Sequence, residues 1–167
     1  MPTDNTRYDF SPITRRPQFR WPRGERLAVW ICYNVEHFKV DTPATSIAPG
    51  LAQLKPDVLN HAWRDYGLRG GIWRNYELMD RLGLPGSVTL NAEVCLHEPA
   101  VVEEMVKRNW CILGHGMTNS QLLATLPEAE ERQVINDTLS IIQRATGKRP
   151  IGWLGPGLAE SFSTPEL

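Results

Sequence analysis

Four short apolar runs alternate with three stretches of helical periodicity, and this alternation limits the fold more than any other feature of the chain. The first run, residues 27–33 (LAVWICY), is too short for a helix and rich in β-formers, so it reads as a strand buried on both faces. The other strands are expected at 87–90, 110–113 and 151–154. A helix is expected at 72–82, with Ile72, Tyr76, Met79 and Leu82 on one stripe and Gly83 as its stop. A second begins at Pro99 and runs to 108, with Val101, Val102, Met105 and Val106 facing inward. A third covers 127–146, with Glu128, Glu130 and Glu131 in its first turns and Gly147 at its end. The order β-α-β-α-β-α-β implies an α/β fold with a parallel sheet and right-handed crossovers. Either an open doubly wound sheet or part of a (β/α) barrel satisfies it.

A chain of 167 residues predicts one domain. Residues 1–26, rich in Pro and Arg, read as an extended arm anchored by Phe19 and Trp21, and 27–167 as the body. The irregular stretch 38–71 is longer than ordinary loops, which points to a functional segment. The final residues, 163–167 (STPEL), carry a helix start signal with no helix behind it, so a truncated chain is expected. Four strands cannot close a barrel; homo-oligomerisation or a missing second half would have to cover the strand edges. Eighteen Lys and Arg against nineteen Asp and Glu give a formal net charge of −1, which argues against nucleic acid or an anionic membrane as partner. No apolar run approaches the ~20 residues of a membrane helix, and the polar first ten residues show no secretory signal. A soluble, cytoplasmic protein is the expectation. Cys32, Cys95 and Cys111, an odd number without Cys-x-x-Cys spacing, read as buried free thiols; Cys95 as a nucleophile lacks a basic neighbour in sequence.

In parallel α/β proteins ligands bind at the carboxyl ends of the strands. Here those ends carry Asn34-Val35-Glu36-His37, then Asn91-Ala92-Glu93, then Gly114-His115-Gly116 through Asn119, then Gly155-Pro156-Gly157. Glu36 reads either as a general base, its pKa raised under a loop that excludes water, or as a solvated loop residue. His37 would ligate a metal, donate to an oxyanion or cap its loop. His115, in a Gly-His-Gly turn, would stand exposed in the cleft as a metal ligand or substrate-orienting group, or serve structurally. Asn119, four residues on, would share its face if the stretch turns helically, but Asn is a poor zinc ligand. His61 and His97 read as structural or surface residues. The 155–157 segment is either a rigid pocket wall or a plain turn. No Gly-x-Gly-x-x-Gly or phosphate loop follows the first strand, which disfavours a nucleotide binder.

These residues resemble the polysaccharide deacetylase family of nodulation-type chitooligosaccharide deacetylases, and most nearly its branch that includes the cofactor-independent allantoinases. The likeness runs through Trp21-Pro22, residues 34–38 (NVEHF), 63–67 (WRDYG), 71–74 (GIWR), 114–116 (GHG), 146–150 (TGKRP) and Gly152-Trp153. It implies a deformed (β/α) barrel of about seven strands, with this chain as its N-terminal half, and hydrolysis of amide-type C–N bonds other than peptide bonds. Where metal-dependent members carry two adjacent Asp residues, base and then ligand, this chain has Glu36 and His37. Where they carry a His pair four apart, it has His115 and Asn119. The third motif's Arg is absent from the turn Trp153-Leu154-Gly155-Pro156, and later motifs, including a general-acid His, would lie beyond Leu167. The resemblance therefore implies Glu36 as the base that activates water. His115, with His37, would bind a divalent metal such as zinc or polarise the scissile carbonyl without one. Asn34, Asn119, Trp153, Gly155 and Pro156 would line the pocket for a small-molecule or sugar amide. The alternative is a catalytically inactive deacetylase-like fragment that only binds a small molecule or acts as a subunit.

Overall fold

The computed structural model describes residues 7–42 and 46–167; the first six residues of the expected arm and Pro43 of the long loop lie outside them. Three parallel strands form the sheet, in the order β1 (Cys32–Val35), β2 (Ser87–Leu90) and β3 (Cys111–Gly114). Central β2 is buried at every position, as a parallel strand covered on both faces must be. Five helices accompany the strands among the described residues: α1 (Val58–Tyr66), α2 (Ile72–Leu82), α3 (Ala92–His97), α4 (Pro99–Lys107) and α5 (Glu128–Thr146).

The core joins Val88 and Leu90 of β2 to Tyr76 and Met79 of α2, Met105 of α4 and Ile142 of α5. Burying each such side chain contributes roughly 1.5–3 kcal/mol. Trp110 organises one end of it. Its ring stacks on Tyr33 at 5.5 Å and meets Tyr76 edge-on at 5.1 Å. Gly86 lies directly beneath: a Cβ there would stand 2.3 Å from the indole, so only glycine fits. The Tyr76 hydroxyl donates to the Val101 carbonyl at 2.8 Å, which satisfies the one polar atom of a buried ring.

Helix α2 and strand β2 have the expected bounds, and Gly83 ends α2 in the left-handed conformation with φ 63°. Elsewhere the expectations shift. The first run is strand only from Cys32; Leu27, Val29 and Trp30 are exposed. Cys32 pairs with Ser87, and behind Ser87 stand Gly86 and Pro85, so β2 offers the earlier residues little to bond to. The fourth strand shrinks to one bridge, between Gly114 and Trp153. The stretch 38–71 is irregular as expected up to Asp57, apart from one short 3-10 turn, Pro49–Leu51, among the described residues, but helical from Val58 on. It holds α1, whose N-cap Asp57 accepts from the Asn60 amide, and a π-helical turn, Gly67–Gly71, that runs into α2. Leu82 and Val106 point outward, away from their expected faces. Phe19 and Trp21 pack on each other at 4.8 Å but remain exposed, so they do not anchor the arm. The thiols are free; Cys95 is buried, whereas Cys32 is half-buried and Cys111 exposed.

The last residues form a short 3-10 turn, Thr164–Glu166. Buried Glu131 of α5 fixes it by accepting hydrogen bonds from the Ser161 hydroxyl at 2.6 Å and from the Thr164 hydroxyl. No helix among the described residues is long and apolar enough to cross a membrane.

Candidate active site

Val35, Leu90 and Gly114 lie in register, so the residues that follow them, Glu36, Asn91 and His115, leave the sheet side by side at one rim. Asn91 ties the three strand ends together. Its side-chain oxygen accepts from the His37 amide at 2.9 Å, and its NH2 group donates to the His115 carbonyl and, at 3.2 Å, to the Asn119 side-chain oxygen. The His37 carbonyl in turn accepts from the Asn119 amide at 3.0 Å and the Thr118 hydroxyl at 2.9 Å. A buried amide with its donors and acceptor matched in this way rigidifies the loops it joins.

His115 is 1% exposed, not open to the cleft as expected. Its Nδ1 lies 2.5 Å from the Leu154 carbonyl and its Nε2 3.3 Å from Glu36 Oε1. A carbonyl only accepts, so Nδ1 carries a hydrogen. The remaining nitrogen faces the Glu36 carboxylate. Pro156 packs over Gly116, which has φ 72°; a Cβ there would stand 2.5 Å from the proline ring. The 154–156 turn thus backs the imidazole from behind.

Glu36 sits among donors. Besides His115, Asn34 Nδ2 approaches Oε1 at 3.4 Å, and the Arg64 guanidinium stands 3.8 Å from Oε2. Arg64 comes from α1, lies 3.8 Å over the Phe38 ring and donates through Nε to Asn60 at 3.2 Å. Burial alone would raise the Glu36 pKa, but the hydrogen bond and charge of His115, then Arg64 and Asn119, outweigh it and hold the carboxyl below the ordinary glutamate value. The expected raised pKa is therefore reversed: Glu36 is a carboxylate at neutral pH. It opens onto a cleft of about 390 Å³ lined by Asn34, Phe38, Trp63 and Arg64, among others.

The other expected residues divide. Asn34 lines this cleft, its oxygen held by the Thr89 hydroxyl at 2.9 Å, and Asn119 lies close enough to Glu36 to favour its charged form. Trp153 lies against Gly114 and lines a separate groove with Ile135, Leu139 and Glu160. The Gly155 amide donates to Glu160 at 2.7 Å, and Pro156 faces Gly116, so both support His115 and neither borders the Glu36 cleft. His37 does not join His115. Its ring faces Glu93 and stacks on His97. His61 is structural, with Nδ1 3.1 Å from the Phe38 carbonyl. Burial pushes the Cys95 thiol up to about 12, which removes it as a nucleophile. Sequence reasoning gave no role to Arg64, although it falls within the WRDYG segment, nor to Asn91, whose only signal was a polar residue at a strand end.

The donor set at Glu36 does not suit a metal ion. The Asn119 oxygen is taken by Asn91, which leaves that side chain only its NH2 group, a donor without a lone pair to share. That leaves one imidazole nitrogen and one carboxylate, beside the positive charge of Arg64. Zinc sites use three or four N, S or carboxylate ligands.

The sequence matches the family model for polysaccharide deacetylase over residues 64–165, more than half of the chain. No curated protein matches it. Among solved structures, Puue allantoinase superimposes with a TM-score of 0.79 at 20% identity, over 98% of this chain and 57% of that one. A putative polysaccharide deacetylase from Mycobacterium smegmatis gives 0.71 at 20% identity, over 89% of this chain and 49% of that one. A CE4 family pseudoenzyme from Bacillus anthracis gives 0.53 at 17% identity, over 57% and 34%. The chain spans about half the length of the first two. At these identities the likenesses establish the fold, and the family model establishes the lineage: this chain belongs to the polysaccharide deacetylase family.

Proposed function

We propose that the protein hydrolyses an amide-type C–N bond of a small molecule, a cyclic ureide or an N-acylated sugar, with Glu36 as general base and no metal at that carboxylate. The observation that carries this reading is the contact of Glu36 with His115 Nε2 at 3.3 Å, with Arg64 at 3.8 Å, at the mouth of a cleft of substrate size. Glu36 takes a proton from water as the oxygen attacks the carbonyl carbon. The guanidinium of Arg64 and the amide N–H of Asn119 face the negative charge that develops on the carbonyl oxygen. The proton that Glu36 has taken from water passes to the departing nitrogen as the C–N bond breaks, giving a carboxylate and an amine.

Turnover of a panel of cyclic ureides and N-acetylated sugars, compared with Glu36→Gln, tests the reading. A substrate hydrolysed by the wild type and spared by the variant supports it; equal rates overturn it. One observation favours a second reading, a binder without turnover. The same donors that fix Glu36 also lower its basicity, and a pseudoenzyme stands among the structural neighbours. A compound that raises the melting temperature yet is recovered intact would support that reading.

A further inference from the structure

Beside the Glu36 cleft lies a second group of titratable side chains that the hydrolytic reading does not use. We infer that His37, Glu93 and His97 form a binding site for one divalent cation of the zinc class, which staples the loop after β1 to helix α3. Glu93 and His97 are four apart on α3 and therefore share a face. His37 reaches them from the neighbouring strand end, and the three ligand atoms lie within 4.8 Å of one another. Two imidazoles and a carboxylate are a donor set that zinc accepts, with a remaining position for water.

The contacts already present leave this set unfinished. His37 Nδ1 and Glu93 Oε2 stand 2.9 Å apart, with their side chains only 18% and 12% exposed. Both atoms are shielded from solvent, and apart from this contact with each other neither has a hydrogen-bond partner. A cation between them would satisfy both. The rest of the cluster fits that role. Lys39 takes the other Glu93 oxygen at 3.2 Å and leaves Oε2 available. The His37 backbone is held by Asn91. The His97 ring stacks on His37 at 4.9 Å and lies at the exposed end of α3. Ligand atoms on one zinc ion stand roughly 3–3.5 Å apart, so this accessible side chain has only a short way to close.

The site shares one residue with the position that the family pattern would give a metal, His37, but neither His115 nor Asn119. It stands or falls independently of Glu36 catalysis. The test is titration of chelator-treated protein with Co²⁺, followed by its visible d–d absorption, and with Zn²⁺ by calorimetry and thermal melting. One equivalent should bind, and zinc should raise the melting temperature. His97→Ala, at an exposed position that leaves folding intact, should weaken binding by at least about tenfold and abolish the melting shift. His115→Gln should bind as the wild type does. Absence of saturable binding, wild-type affinity in His97→Ala, or loss of binding in His115→Gln with retention in His97→Ala would each overturn the proposal.

Discussion

Glu36 and His37 are consecutive residues, yet they enter opposite surroundings. Around Glu36 every polar neighbour described above donates or is cationic: His115, Arg64, Asn34 and Asn119. Around His37 the ring faces a carboxylate oxygen at 2.9 Å and stacks on a second imidazole. The first surrounding keeps a carboxylate charged and offers positive charge to an oxyanion. The second gathers lone pairs of two imidazoles and a carboxylate at one spot. Asn91 imposes the division by holding the backbone at residue 37 while the strand register delivers residue 36 to His115. One amide bond thus separates a place suited to making a nucleophile from a place suited to binding a metal.

The contrast can be broken most severely at Glu36. Gln in its place keeps the shape but cannot accept a proton, and the rate should fall by about 10²–10⁴-fold in steady-state assays of a confirmed substrate. Replacing Arg64 by Met keeps much of the volume and removes the charge; a loss of ~10²–10³-fold in kcat is expected, the range for removing one oxyanion donor. Asn91→Asp attacks the division itself. A carboxylate would face the His115 carbonyl and the Asn119 oxygen in place of an NH2 group, and chemical denaturation should show a loss of about 1–3 kcal/mol or more. A smaller effect should appear in acid. Because the folded-state pKa of Glu36 is lowered, its ionisation stabilises the fold above the unfolded-state value, roughly pH 4.3, and that stabilisation is lost as the pH falls through the lower folded value. Glu36→Gln should therefore lose less stability than the wild type between neutral pH and about pH 3. The mildest change is His97→Ala, which should leave the hydrolytic rate at its wild-type level; a large drop would show that the two surroundings are one site.

What could be read in the sequence follows from how local each determinant is. Helix α2 declares itself through Ile72, Tyr76 and Met79 on one stripe and through Gly83, whose left-handed backbone ends it. Strand β2 is bracketed by Gly86 and Asn91. Strand β1 was legible in existence but not in extent, because its length depends on where a partner 55 residues away begins to pair, as Cys32 and Ser87 show. Helix α1 hides because Leu59 and Trp63 are exposed rather than sorted onto a buried stripe, although Asp57 marks its start. In the site, strand ends placed Glu36 and His115 together correctly, since register alone decides that. Side-chain direction is not in the pattern. His37 turns to Glu93, and the Asn119 oxygen turns to Asn91, because of hydrogen bonds made by a residue whose type says little by itself.

The central claim is that Glu36 acts as the base without a metal at its side. Its most direct test is the hydrolysis rate of the wild type and Glu36→Gln, each before and after chelation under conditions where both remain folded. Chelated wild type that still turns over, with Glu36→Gln slow in either state, is the predicted result. Activity that vanishes on chelation, returns with zinc and survives in Glu36→Gln would contradict it.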